Sequence, residues 1–474
     1  MSASSPPTVG IVGAGFAGSE AAWQLARRGL RAVLYEMRPG RQTEAHRTGW
    51  CAELVCSNSF KSRNPENAHG LLKAEMACQG SLVIEVAHAC DVPAGQALAV
   101  DRDRFAAALT ERLAAHPRIE LRREEVGALE PLLARHAAVI VATGPLTSPA
   151  LSAELTRLAG VEALAFYDAI APTVLADSID RTVAFAASRY DKGEADYLNC
   201  PFTREQYLAF VAAVAEAETV PLHDFESLRP FEGCLPIEVM VARGPLTLAH
   251  GPLKPVGLVD PRTGRRPFAA VQLRQENRAA TLYSLVGCQT KMTWPAQRRV
   301  LRMIPGLERA EFARLGSLHR NTFLDAPRLL DRELALRGRP EITFAGQITG
   351  VEGYMESAAT GLYAAKRVAA RLQGRALPLP SVETMIGGLV RYLCETPSAH
   401  FQPMNANFGL VDPPPERMGR REKRAFLARR ALAEIARLER LEGLSGPERE
   451  AGAEVVAAGD PDGAGRATAG AWDA

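Results

Sequence analysis

The chain has little that would announce a metal site, a disulfide scaffold or a membrane span. Its eight cysteines, at 51, 56, 78, 90, 200, 234, 288 and 394, form no CxxC pair and no Cys/His quartet with zinc spacing, so no metal is expected. Thiols scattered in this way, behind a Met1–Pro7 segment too short and uncharged for a signal peptide, point to a reducing cytoplasm. No window approaches the ~18 uninterrupted apolar residues of a membrane span. There is no internal repeat, which excludes a solenoid. Net charge is only +2, from 56 basic and 54 acidic residues, so overall charge singles out no partner. What remains is a globular chain of 474 residues with 47% hydrophobic content and a mean hydropathy of −0.08. That length predicts two domains, or one domain with a large insertion.

The most informative stretch is Thr8–Arg38, TVGIVGAGFAGSEAAWQLARRGLRAVLYEMR. An apolar run feeds Gly13-Ala14-Gly15-Phe16-Ala17-Gly18, a helical pattern follows, and a second apolar run stops at Glu36. In this order Gly13 allows a tight turn, and Gly15 lets backbone N–H groups approach a pyrophosphate. Gly18 allows close helix–strand packing, and the helix N-terminus offers partial positive charge to phosphates. Glu36, at the end of the second strand, is placed to accept from a ribose hydroxyl. The pattern predicts a dinucleotide-binding βαβ unit.

Further along, Leu71–Cys78 and Leu82–Ala89 read as helices, and Asp101 caps a helix beginning at Arg102. Ile119–Arg122 and Ala138–Ala142 read as strands, the second closing on Ala142-Thr143-Gly144. From about Tyr167 short strands, helices and Pro/Gly turns alternate, as expected of an insertion. The strand Ile342–Ala345 then runs into Gly346, with Gly353 and a helix from Ser357 behind it. Such a strand–Gly–helix unit places main-chain N–H groups near a flavin. The expected fold is α/β: a Rossmann-like, glutathione-reductase-like FAD-binding domain with an inserted α/β substrate domain. Residues 8–166 and 336–440 form the two parts of the FAD-binding domain, 167–335 the insertion, and 445–474 a disordered tail.

No second GxGxxG stands out, which favours bound FAD as the resident cofactor and a nicotinamide that visits only transiently. Two cysteines have unusual surroundings. Cys56 ends the apolar run of Ala52-Glu53-Leu54-Val55 and opens a polar Ser57-Asn58-Ser59 turn, and Cys234 sits between Gly233 and Leu235-Pro236. Either reacts only as a thiolate, so its pKa must be drawn down by cations or a helix N-terminus. Nine Lys/Arg between Arg417 and Arg440 stand against three acids. A looser group holds Lys254, Arg262, Arg265, Arg266 and Arg274. Both read as phosphate-backbone contacts or as solvated faces.

From Thr8 to about Arg430 the chain resembles the folate- and flavin-dependent tRNA uracil-5-methyltransferases, the TrmFO family. The resemblance is carried by GAGFAGSEAAWQLA, YEMRP, AELVCSNS, VPAGQALAVDRDRF, VATGPLTS, FEGCLPIE, GPLKPVGLVDPRTG, HRNTFLDAP and GVEGYMESAATG. The related GidA-type flavoproteins share the opening fingerprint and are expected to differ in the later segments. The resemblance implies FAD, a methylene group taken from 5,10-methylenetetrahydrofolate, reduction by NAD(P)H, and 5-methyluridine at position 54 in the T loop of tRNA. A GidA-like wobble-uridine modification is the alternative. The family's two functional cysteines match Cys56 and Cys234. Uracil C6 is electrophilic and C5 a poor nucleophile, so a thiolate adding to C6 activates C5 toward a one-carbon electrophile. Cys234 is the expected C6 nucleophile, and Cys56, with Glu53, handles protons near C5, the reverse assignment remaining open. Tyr354 either stacks on flavin or folate or packs in the core. The polar triplet His319, Arg320 and Asn321 either lines the pocket or forms a surface turn.

Overall fold

The computed structural model describes residues 7–43, 45–159, 164–169, 171–191, 195–220, 235–316 and 318–443. Cys234 and the expected tail at 445–474 lie outside the described residues, as do the side chains of His319, Arg320 and Asn321.

The opening pattern forms the elements its periodicity predicts. Strand β1 (Thr8–Val12) leads through the glycine turn into helix α1 (Phe16–Arg27) and back to strand β2 (Arg31–Tyr35), which pairs parallel with β1. Three more helices follow: α2 (Ala68–Cys78), α3 (Leu82–Ala89) and α4 (Arg102–Ala114). Asp101 caps α4 by accepting from the Arg104 N–H, which satisfies an otherwise unpaired donor of the first turn.

The first sheet has six strands in the order Ala335–Leu336, Arg339–Phe344, Ala138–Val141, β1, β2 and Ile119–Arg122. All neighbours run parallel except the Ala335–Leu336 edge. The all-apolar strand Ala138–Val141 is buried throughout, as a central parallel strand covered on both faces must be. Helix Tyr354–Leu372 packs across α1, with which it shares more contacts than any other pair of elements. Gly361 allows that approach, since a Cβ there would stand 2.1 Å from the Ala17 carbonyl oxygen.

The second sheet is antiparallel, in the order Phe185–Ala186, Tyr197–Phe202, Ala269–Gln275, Leu282–Val286, Thr173–Leu175 and Phe312–Arg314. It has its own apolar core. The chain passes between the two units on a two-stranded ribbon, Leu164–Ala169 against Leu318–Phe323. From Phe323 onward, Leu324, Leu329, Leu330 and Leu334 are buried in the first core rather than the second. The return to the nucleotide fold therefore falls ahead of the expected boundary at 335/336. The cause is the apolar spacing of 323–336, which carries these side chains into the first core.

The basic helix reads as Arg420–Glu442. Its inner face buries Leu427, Ala428 and Ala431 in the first core, and Ile435 further along is buried too. Arg28 donates to Glu442 at 2.5 Å, and Lys366 pairs with both Glu439 and Glu442. A buried ionic cluster thus fastens this helix to α1 and helix Tyr354–Leu372, and its remaining exposed cations, including Arg420, Arg421, Lys423 and Arg429, face solvent.

Among the described residues no helix is long and apolar enough to cross a membrane. Nor does any group of three His, Cys, Asp or Glu there come together to hold a metal ion.

Candidate active site

A cleft with about 1020 Å³ of empty space, part of it open to solvent, runs along the carboxyl ends of the parallel strands. That edge is where open α/β sheets place their ligands. Gly13, Gly15, Phe16, Ala17, Glu36, Glu53, Gly346 and Tyr354 all line it, together with Ala142-Thr143-Gly144. Ala14, Gly18 and Gly353 are not among its lining residues.

The phosphate end is made of backbone. Gly13 adopts φ +98° and donates to the Tyr35 carbonyl at 2.8 Å, a left-handed conformation that side chains disfavour. A Cβ on Gly18 would lie 1.8 Å from the Gly13 carbonyl oxygen, whereas a Cβ on Gly15 would meet nothing within 4 Å. Gly18 is thus required by the fold, while the space over Gly15 is kept open for something other than protein. No side chain caps the N-terminus of α1, so its first N–H groups and its partial positive charge face that space.

Glu36 accepts from the Ala14 N–H at 2.9 Å and from the Arg38 N–H and Nε at 3.0 and 2.8 Å. Burial alone would raise its pKa, but Arg38 outweighs burial and holds the carboxyl below the ordinary range. Three of about four acceptor positions are used, which leaves one for a ligand hydroxyl. Arg38 also donates to Glu53 at 3.0 Å. Glu53 accepts in addition from Arg47 N, Thr48 N and Thr48 Oγ1 at 2.8–3.0 Å. Its carboxylate is thereby committed to shaping the 47–53 loop. Gly346 lines the cleft, yet its own N–H is spent on Thr360 Oγ1 at 2.8 Å.

Behind the lining residues Val55 and Tyr354 sits a thiol, Cys56, which does not itself line the cleft. Cys56 is half-buried, and its Sγ lies 3.0 Å from the Tyr354 hydroxyl, which also accepts the Cys56 N–H at 2.8 Å. Because the N–H occupies the phenol oxygen as acceptor, the phenol's own proton is available to Sγ. Burial keeps Tyr354 protonated, well above its usual pKa. Its ring stacks on Phe16 with centroids 4.6 Å apart, so Tyr354 is at once a cleft wall and part of the aromatic core.

Three arginines hold the thiol loop from below. Arg102 donates to the carbonyls of Leu54 and Cys56 at 2.7 and 2.5 Å and pairs with Glu276. Arg314 donates to the carbonyls of Val55 and Cys56 at 2.8 and 2.7 Å. Arg274 reaches Ser57 Oγ at 2.8 Å and Asn58 Oδ1 at 2.9 Å. Arg274 fits neither reading of its basic group, phosphate contact or solvated face: its side chain is 12% exposed and is used inside the protein. Arg102 and Arg314 escaped the sequence reading because nothing local distinguishes them from solvated arginines. They border a second cleft, with about 940 Å³ of empty space, that Glu53 shares with the first.

Five of the six other described cysteines fit a catalytic role poorly. Burial pushes the Cys288 and Cys394 thiols up to about 12, and Cys51, Cys90 and Cys200 are buried. Just beyond Cys234, Ile237 N–H donates to the Gln289 carbonyl at 2.8 Å. Glu238 then accepts from Thr290, Lys291 and Met292. The end of the FEGCLPIE segment is thus anchored to the insertion.

The Glucose inhibited division protein A family matches residues 8–376. A protein of Heliobacterium modesticaldum named methylenetetrahydrofolate--tRNA-(uracil-5-)-methyltransferase TrmFO is 55% identical over 434 residues, 91% of this chain and 97% of that protein. A protein of the same name from Geobacter sulfurreducens is 55% identical over 428 residues, 90% and 98% of the two chains. Among solved structures, Aquifex aeolicus GidA superposes with a TM-score of 0.70 at 16% identity, covering 95% of this chain and 76% of that one. At 16% identity this likeness to GidA is one of fold, and it spans 95% of this chain.

Proposed function

The chain belongs to the Glucose inhibited division protein A family and, within it, to the TrmFO methylenetetrahydrofolate--tRNA-(uracil-5-)-methyltransferases; from that premise we propose that it makes 5-methyluridine at position 54 of the tRNA T loop. The carbon comes from 5,10-methylenetetrahydrofolate, the reducing equivalents come from NAD(P)H, FAD is the resident cofactor, and the site of action is the cytoplasm. The observation that carries this reading is the cleft itself. An open glycine cradle on an uncapped helix lines it, and so does Tyr354, the protonated phenol that stands 3.0 Å from the Cys56 thiol.

The residues present fit FAD. Gly13, Gly15, Phe16 and Ala17 with the first turn of α1 are the pyrophosphate cradle, Glu36 takes a ribose hydroxyl, and Ala142–Gly144 and Gly346 border the rest. When bound, FAD supplies the hydride and one-carbon chemistry that side chains lack. The protein's own part is covalent and acid–base. Cys234 adds as thiolate to C6 of the extruded uracil, which turns C5 into an enolate carbon able to attack the one-carbon electrophile. Cys56 then takes the C5 proton, and Cys234 leaves C6 to restore the ring. Tyr354 orients Cys56 through its hydroxyl. Glu53, with four donors already on it, holds the 47–53 loop and is not the base. The exposed cations of helix Arg420–Glu442 meet the RNA backbone, a contact that salt weakens.

The test is nucleoside analysis after incubating the flavin-bound protein with tRNA transcript, NAD(P)H and methylenetetrahydrofolate labelled on its one-carbon unit. The expected result is labelled 5-methyluridine that disappears when folate is omitted or position 54 is cytidine. NAD(P)H consumption with no label in RNA would reduce the chain to an oxidase. A different modified uridine would favour the GidA-like alternative.

A further inference from the structure

We infer that Arg314, together with Arg102, is a positioning residue for Cys56: guanidiniums from the two separate units of the fold grip the Cys56 carbonyl and hold its thiol among cations that favour the thiolate. The inference rests on the reading of Cys56 as a working thiol.

Leu54, Val55 and Cys56 each present a carbonyl to one or both of these arginines. Arg102 comes from the first turn of α4 in the nucleotide-binding unit, and Arg314 from the last strand of the insertion. Arg314 sits at a register shift, where Phe312 and Arg314 face Val174 and Thr173 out of step. A bulge of this kind turns a side chain away from its strand's normal direction.

A backbone carbonyl is neutral, so gripping it leaves the guanidinium charge uncompensated. Arg102 is balanced by Glu276, whose carboxyl would be raised by burial but is held below its ordinary value by Arg102 and Arg274. Arg314 donates to carbonyls instead of a carboxylate. Burial, with the charge of Arg102 added, brings it down to about 10, still cationic at neutral pH, and the anions that act on it are Glu276 and an ionised Cys56. The charged and titratable groups that act on Cys56 include Arg102 on α4, Arg314 on the insertion strand and Tyr354 on the long helix, with Glu276 paired to Arg102. Glu53 is held by Arg38. Two cations and a hydrogen-bond donor beside it favour sulfur as an anion. The arrangement also makes the thiol's state depend on how the insertion is seated, because half of the grip belongs to it.

The experiment follows alkylation of Cys56 by iodoacetamide across pH, in the full-length flavin-bound protein, with the modified peptide quantified by mass spectrometry. Arg314→Met is expected to raise the midpoint of the Cys56 profile by about one pH unit, leaving the alkaline plateau rate nearly unchanged. Arg314→Lys, which keeps the charge, is expected to restore most of the shift, and serves alone if the methionine variant does not fold, with Arg314→Gln as its neutral counterpart. A merely structural arginine would alter the plateau by exposing or burying the thiol without moving the midpoint. An unchanged midpoint in the neutral variants, or an equal shift in Arg314→Lys, overturns the inference. The assay uses neither folate nor tRNA, so its failure is distinct from a failure of methyl transfer.

Discussion

The phosphate end of the cleft and the thiol end behind Tyr354 are built by different means. The phosphate end uses main chain drawn from one continuous stretch, β1–α1–β2, and its specificity lies in which glycines have room for a side chain. The thiol end uses side chains gathered from four places, residues 56, 102, 314 and 354, and its specificity lies in charge and hydrogen bonding. Geometry fixed by backbone tolerates little change and fails outright. Geometry fixed by converging side chains can lose one member, keep the fold, and change only its chemistry.

The largest effect is expected at the phosphate end. Gly18→Ala forces a methyl group to 1.8 Å from the Gly13 carbonyl oxygen, and backbone cannot give way cheaply there. The variant should purify without flavin, read from the ratio of visible to ultraviolet absorbance. Gly15→Ala sharpens the contrast, since its methyl meets no protein atom within 4 Å. Its thermal midpoint should match the parent while flavin affinity falls by at least about tenfold. Equal flavin content in both variants would break the assignment of the cradle.

At the thiol end the next effect is Arg102→Met. It leaves Glu276, 2% exposed, without its main counter-charge, and a buried carboxylate stripped of its partner costs about 3–5 kcal/mol. Denaturant titration should show that loss, and Arg102→Met combined with Glu276→Gln should recover much of it. A smaller effect follows from Tyr354→Phe, which keeps the ring stacked on Phe16 but removes the acceptor of the Cys56 N–H. A buried donor left without a partner costs about 1–3 kcal/mol. Flavin content should be unchanged, because the hydroxyl takes no part in the glycine cradle.

This difference in construction also explains what the sequence disclosed. The turn Gly13–Gly18, the acid Glu36 and the Asp101 cap are local: each partner lies within a few residues or in the next element, so spacing alone reveals them. Helix Tyr354–Leu372 begins three residues before the expected Ser357 because Gly353, at φ +117°, makes the sharp entry. The arginine grip joins positions 46 and 258 residues apart, a separation at which no periodicity survives. Arg274 misled for the same reason. In one dimension it stands among arginines, and in three it points at Ser57 and Asn58. Glu53 was found by its neighbourhood to Cys56, but its four donors became visible only once the 47–48 loop folded back over it.

The most direct test of the account is methyl transfer by Cys56→Ala protein that has been shown to carry a full complement of flavin. If the thiol end does chemistry while the phosphate end does binding, this variant stays yellow and forms no labelled 5-methyluridine from labelled methylenetetrahydrofolate. Wild-type methylation by a fully flavin-loaded Cys56→Ala protein would contradict it.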